Sequence, residues 1–222
     1  MDKRHSAGYA ILAFLLGFTG IAAFNGVLLA EGTPPRSADE FVEEVKIDST
    51  TNAVRPSPIE EALLHPRRLR PLPPNLIDQE TLWLARCIYA ETKRPEEQEL
   101  VAWIIRNRVE TGYRGKHAYE SVILDPYQFS TFNPDNERRP YYANLGIQSK
   151  APGWQRAVFI AYHVRHADSL RRPFSSTTRH FFSERSMVES TRPDWIEGQR
   201  PVKPDRHYRI DALRFRFYDG VS

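Results

Sequence analysis

Residues 84–97 read LARCIYAETKRPEE. This stretch predicts the close of one helix at Ala90-Glu91 and the opening of a second near Pro95. Leu82, Ala85, Ile88 and Tyr89 fall on one helical face, and Asp78 suits the N-cap of a helix over roughly 79–91. Pro95 belongs in the first turn of the next helix, with Glu96, Glu97 and Glu99 favourable at its positive end. That helix, about 95–110, should bury Val101, Ile104, Ile105 and Val109 and stop at Gly112. Glu91 then stands at the end of a mostly apolar helix. A carboxyl desolvated there titrates at raised pH, as a general acid working near neutrality requires. The competing reading is a carboxylate that pairs with Lys93 or Arg94 or simply faces water.

Outward from this pair, a short helix is expected at about 118–124, followed by the loop DPYQFSTFNPDNERRP (125–140). Residues 153–168 read as a third long helix, with Trp154, Ala157, Val158, Ala161 and Val164 inward. After Pro173 the pattern changes. TTRHFFS (177–183) suits strand or loop. HYRIDALRFRFYDG (207–220) alternates Leu213, Phe215 and Phe217 against Arg214, Arg216 and Tyr218, a half-exposed strand. The expected class is α+β, mainly helical, with a small β element at the C-terminal end.

The N-terminal end carries a different signal. Lys3 and Arg4 precede residues 6–30, a run of 25 residues without charge. As a helix it would rise ~37 Å, enough for a hydrocarbon core of ~30 Å. It reads as a membrane anchor or a secretory signal peptide (1–30). Leu28 in LLA-EG fits the small-x-small cleavage pattern poorly, and the basic N-terminus favours a cytoplasmic start. The rest of the chain would lie outside the cytoplasm, tethered to the inner membrane or secreted. Residues 31–76 contain eight prolines and read as a linker. The domain itself is expected over 77–222.

With 222 residues and 41% apolar content the chain can build a core. A net charge of +3 is too weak to indicate nucleic-acid binding, and no such motif is present. Cys87 is the single cysteine, so no intrachain disulfide forms; its apolar neighbours suggest a buried thiol. His163 and His166 lie three apart on a helix, while His117, His180 and His207 are scattered; none has metal-site spacing. No cofactor is implied.

The ordered set Ala90-Glu91, Gln98, Asn107-Arg108-Val109 and Gln128-Phe129-Ser130 resembles the SleB-like cell-wall hydrolase family. HFF (180–182), PDWI (193–196) and FRFYDGV (215–221) look like that family's closing segment, so the likeness spans about residues 80–220. One departure is the connection from Glu91 to Gln98, shorter than usual, with TKRPEE in place of a glycine–glutamate turn. Only Glu96 or Glu97 could replace a lost acidic residue there. The resemblance implies a lysozyme-like fold that cleaves peptidoglycan glycan strands between N-acetylmuramic acid and N-acetylglucosamine, in the manner of a lytic transglycosylase. It implies Glu91 as acid–base residue. Gln128 suits a bond to an acetamido group or to Glu91, Ser130 a substrate contact or a turn cap, and His180 a substrate contact or a structural hydrogen bond, while the rings of Tyr127 and Trp195 suit the apolar faces of sugars. Phe129 reads equally as core. Tyr141 and Tyr142 are further aromatic candidates, and Asp125, Asp135 and Glu137 are candidates for a second carboxylate. The alternatives are a non-catalytic peptidoglycan-binding scaffold and a zinc amidase.

Overall fold

The computed structural model describes residues 57–66, 69–182, 193–211 and 213–221. All belong to one compact unit spanning residues 52–222. The expected anchor or signal segment lies outside the described residues. Among the described residues, no helix is long and apolar enough to cross a membrane.

Among the described residues, six α-helices precede a two-stranded antiparallel sheet: α1 (Pro58–Leu64), α2 (Gln79–Glu91), α3 (Pro95–Glu110), α4 (Tyr119–Ile123), α5 (Arg139–Ala143), α6 (Trp154–His166), β1 (Thr178–Phe182) and β2 (Arg216–Asp219). The expected mainly helical class with a small C-terminal β element is what the chain forms. Asp78 caps α2, its side chain accepting from the Thr81 amide at 2.8 Å. The expected apolar face of α2 is only part of its buried surface. Leu84 and Cys87 are enclosed as well, because α6, α4 and α3 cover the helix from several sides. Trp154, at the head of α6, is fully buried and donates from Nε1 to the Gly146 carbonyl at 2.7 Å. Gly112 follows α3 in the left-handed region (φ 60°), and an added Cβ there would meet the His117 ring. Val109, expected inside, is only half-buried near the end of α3.

Helix α1 corrects the linker reading over its last third. Pro58 sits in the first turn, where its missing amide has no partner to lose. Ser57 and Glu60 form a reciprocal capping box, with bonds of 3.1 and 2.6 Å. Ile59 joins the main core and the helix packs on α6. Replacing Ser57 by alanine is expected to lower stability by about 1 kcal/mol, read as a shift of the denaturation midpoint at constant slope.

The C-terminal strand is shorter than its alternation suggested. Leu213 is 51% exposed, because it sits with Arg214 in a turn, the Arg214 amide reaching the Asp211 carbonyl at 2.8 Å. Tyr218, expected on the exposed face, is 2% exposed. Phe182, Ile196 and Val221 build a second small core on that side, and Trp195 meets the Tyr218 ring edge-on at 5.3 Å. The sheet is tied to α3 by two consecutive residues. Asn107 Nδ2 donates to the carbonyls of Ser175 (3.0 Å) and Thr178 (2.8 Å), and Arg108 Nε donates to that of Arg179 (2.7 Å). Amide and guanidinium groups carry several donors, so both residues can stitch a helix to an otherwise unpaired strand edge.

Candidate active site

A cleft of about 650 Å³ opens where the C-terminal end of α2, the middle loop and the sheet meet. Glu91, Tyr127, Gln128, Ser130, His180 and Trp195 all line it. The fold therefore brings these six residues together from positions over a hundred residues apart.

Glu91 is the last residue of α2 and is half-buried. Burial raises its pKa to about 7, while the Arg108 charge pulls in the opposite direction. Neither basic neighbour in sequence neutralises it. Lys93 turns its ammonium back over the Tyr89 ring and donates to the Tyr89 carbonyl, and Arg94 reaches Glu97 at 3.4 Å. Of the apolar residues just before Glu91, only Ala90 borders the cleft. Ile88 is in the core, and Tyr89 points away, donating to the Pro152 carbonyl at 3.0 Å. The apolar lining comes instead from Phe129, Phe181, Phe182 and Phe215.

The shortened TKRPEE turn is braced. Thr92 caps α2, its amide donating to the Ile88 carbonyl at 3.2 Å. Its hydroxyl donates to Glu97 at 2.5 Å, and Gln98 Nε2 donates to its carbonyl at 2.8 Å. Glu97 is fully buried and also faces the guanidinium of Arg214 at 3.3 Å. Glu97 thus holds the turn rather than facing substrate. Glu96 accepts from the Arg209 amide at 2.5 Å.

The loop contributes Tyr127 to Asn133. Tyr127 adopts φ 63°, an uncommon conformation for a residue with a side chain, and its amide is held by Asn133 Oδ1 at 2.9 Å. Its ring is 82% exposed over the cleft. Phe129 is both core and cleft wall, with the Arg108 guanidinium 5.2 Å from its ring centre. Ser130 opens a short 3-10 turn, and its carbonyl accepts from Asn136 Nδ2 at 3.0 Å. His180, on β1, is 6% exposed and its Nε2 lies 3.0 Å from the Tyr113 hydroxyl. Burial, together with the charges of Arg108 and Arg179, pushes its pKa down to about 4, so the ring is neutral at physiological pH. Trp195 packs against it at 5.0 Å.

Several candidates lie elsewhere. Tyr141 and Tyr142 pack on each other and towards Lys93, outside the cleft. Asp125 is bound to Arg114 at 2.7 Å, while Asp135 and Glu137 border an open groove that adjoins the cleft at Ser130, Thr131 and Asn133. Among the described residues, Glu91 is the only carboxylate lining the cleft. His163 and His166 sit against Phe159 and Tyr162 on α6. Cys87 is fully buried, and burial holds its thiol well above the ordinary range.

Arg108, Tyr113, Arg114, Asn133 and Arg214 also line the cleft, without having been nominated. An arginine near the end of an amphipathic helix reads as solvent-facing. The only signal was the place of Arg108 in the Asn107-Arg108-Val109 set, and β1, which encloses it, is distant in sequence. No family model, curated protein or solved structure matches this chain.

Proposed function

We propose that this protein cleaves peptidoglycan glycan strands between N-acetylmuramic acid and N-acetylglucosamine, with Glu91 as the acid–base residue in a lysozyme-like domain. The observation that carries this reading is a carboxyl with pKa raised to about 7, alone of its kind among the described residues lining the cleft. Near neutral pH a large fraction of such a group is protonated and ready to donate. Tyr127 and Trp195 offer aromatic faces that suit the apolar faces of pyranose rings.

In this mechanism Glu91 protonates the glycosidic oxygen as the C1–O bond breaks, and positive charge develops at C1 of the muramoyl ring. The muramoyl C6 hydroxyl attacks C1 and returns its proton to the Glu91 carboxylate. A 1,6-anhydro end forms, no water is consumed and the acid is regenerated. Hydrolytic glycosidases use two carboxyl groups, about 5–9.5 Å apart. The intramolecular hydroxyl removes the need for the second, which accords with Glu91 standing alone.

The test is to incubate the full-length protein with purified sacculi and identify the products by mass spectrometry. Anhydro-muropeptides are expected. Reducing-end products would replace the transglycosylase step with hydrolysis. Stem-peptide release would point to amidase chemistry, and no release at any pH would leave a binding scaffold. The pH dependence is also expected to be distinctive. Because the donor must be protonated, kcat/KM should be flat below about 7 and fall by about tenfold per unit above it. A rate that rises through pH 7 would contradict Glu91 as the proton donor.

A further inference from the structure

The cleft holds a buried cation whose bonding capacity is not used up. Arg108 is 4% exposed, and its Nη1 has no hydrogen-bond partner among the described residues. Its Nε is committed to the Arg179 carbonyl, and its guanidinium plane lies against the rings of Tyr113 and Phe129. The side chain is therefore fixed in orientation, with a free N–H in a cleft-lining group. His180 presents a second unpartnered atom, Nδ1, beside the same Tyr113 ring. When the Tyr113 hydroxyl donates to Nε2, the hydrogen of the neutral ring sits on Nδ1, a second donor in a residue that lines the same cleft.

The charge balance says what those donors await. Arg114 is paired with Asp125 and Arg214 with Glu97, but Arg108 has no ion pair among the described residues. Glu91, the carboxyl on the cleft wall, is neutral in the form that donates a proton, and Asp125, the other carboxylate whose charge reaches Arg108, is already bonded to Arg114. The catalytically ready cleft thus contains a desolvated guanidinium with no direct counter-ion among the described residues, which a ligand anion would stabilise. A neutral acetamido carbonyl would fill the hydrogen bond and leave the charge. A carboxylate would satisfy both, with the short charge-assisted geometry that guanidinium favours.

Resting on the glycan-cleaving reading above, we propose that Arg108, assisted by His180, is a specificity residue that binds a carboxylate carried by the sugar. The substrate class is then a glycan whose muramoyl residues bear free lactyl carboxylates, rather than one whose lactyl groups are all amide-linked to peptide. A bound carboxylate would also help to hold Glu91 protonated, since a second negative charge in the cleft disfavours its ionisation.

The test uses full-length Glu91→Gln protein, so that strands bind without being cut. The probes are glycan strands stripped of peptide by an amidase, and the same strands with their lactyl carboxylates converted to methylamides. The carboxylate strands are expected to bind about tenfold or more tightly than the methylamides. The preference should vanish in Glu91→Gln/Arg108→Gln, survive in part in Glu91→Gln/Arg108→Lys, and shrink with added salt. The comparison of the two strands on one protein does not depend on any Arg108 variant folding. Equal affinity for both strands would overturn the carboxylate site while leaving glycan binding intact, as would a preference that persists in the folded Arg108→Gln protein. Failure to bind either strand would overturn the glycan reading with it.

Discussion

Glu91→Gln is expected to lower release of glycan products by about 10²–10⁴-fold, the range a positioned acid–base group contributes, and at the same time to make the protein more stable above pH 7. Both effects have one cause. The Glu91 carboxyl titrates at about 7 in the folded protein because burial disfavours its charged form, against 4.5 for the ordinary side chain. Between those two values the folded state binds more protons than the unfolded chain. Stability therefore falls as pH rises from about 4.5 through 7, and stays lowered above. The full difference of 2.5 units, from 7 − 4.5, corresponds to about 3.4 kcal/mol. Solvent access to the half-buried side chain reduces this to about 1–2 kcal/mol. Glutamine is neutral at every pH and does not incur this loss. Denaturation midpoints of the two proteins should run parallel below pH 4.5, diverge between 4.5 and 7, and remain separated beyond. Parallel curves across the whole range would mean that Glu91 is not desolvated. Undiminished product release would remove it from the mechanism.

Glu97→Ala should have the largest effect on folding. The buried carboxylate accepts from the Thr92 hydroxyl and faces both Arg94 and Arg214. Deleting it leaves the buried Thr92 hydroxyl without its acceptor, while Arg94 and Arg214 keep access to water, and costs about 2–3 kcal/mol. Denaturant titration measures this directly. Glu97→Gln keeps an acceptor for Thr92 and loses only the ionic component, so it should lie about 1–2 kcal/mol below the parent. Because Thr92 caps the helix that ends in Glu91, the alanine variant is also expected to lose about tenfold in activity per folded molecule, a loose turn misplacing the acid. Full activity and a stability change under about 1 kcal/mol would show that the turn holds its shape without Glu97.

The helices were readable because their signals are local. Asp78 before an apolar period, Pro95 beside Glu96 and Glu97, and Gly112 beyond the last turn each act within a few residues, and each does in the structure what its chemistry implies. Misreadings arose where a local signal has two meanings. Pro58 served a helix start as well as it would a linker, and only the Ser57–Glu60 box and the packing on α6 decided which. Tyr218 alternated with arginines and looked exposed, until Trp195 and Val221 covered it.

The site divides along the same line. Sequence alone determined that a carboxyl ends an apolar helix, that Tyr127, Gln128 and Ser130 follow in a loop, and that His180 and Trp195 stand near the C-terminal end. It could not determine that these face one another, that Lys93 and Arg94 turn away from Glu91, or that Arg108 is buried with an N–H to spare. Helix periodicity and capping depend on neighbours in the chain, whereas desolvation and charge balance depend on neighbours in space. The pKa of Glu91 and the unpaired charge of Arg108 are set by the closure of β1 and the middle loop around α2 and α3, so only the tertiary structure decided them.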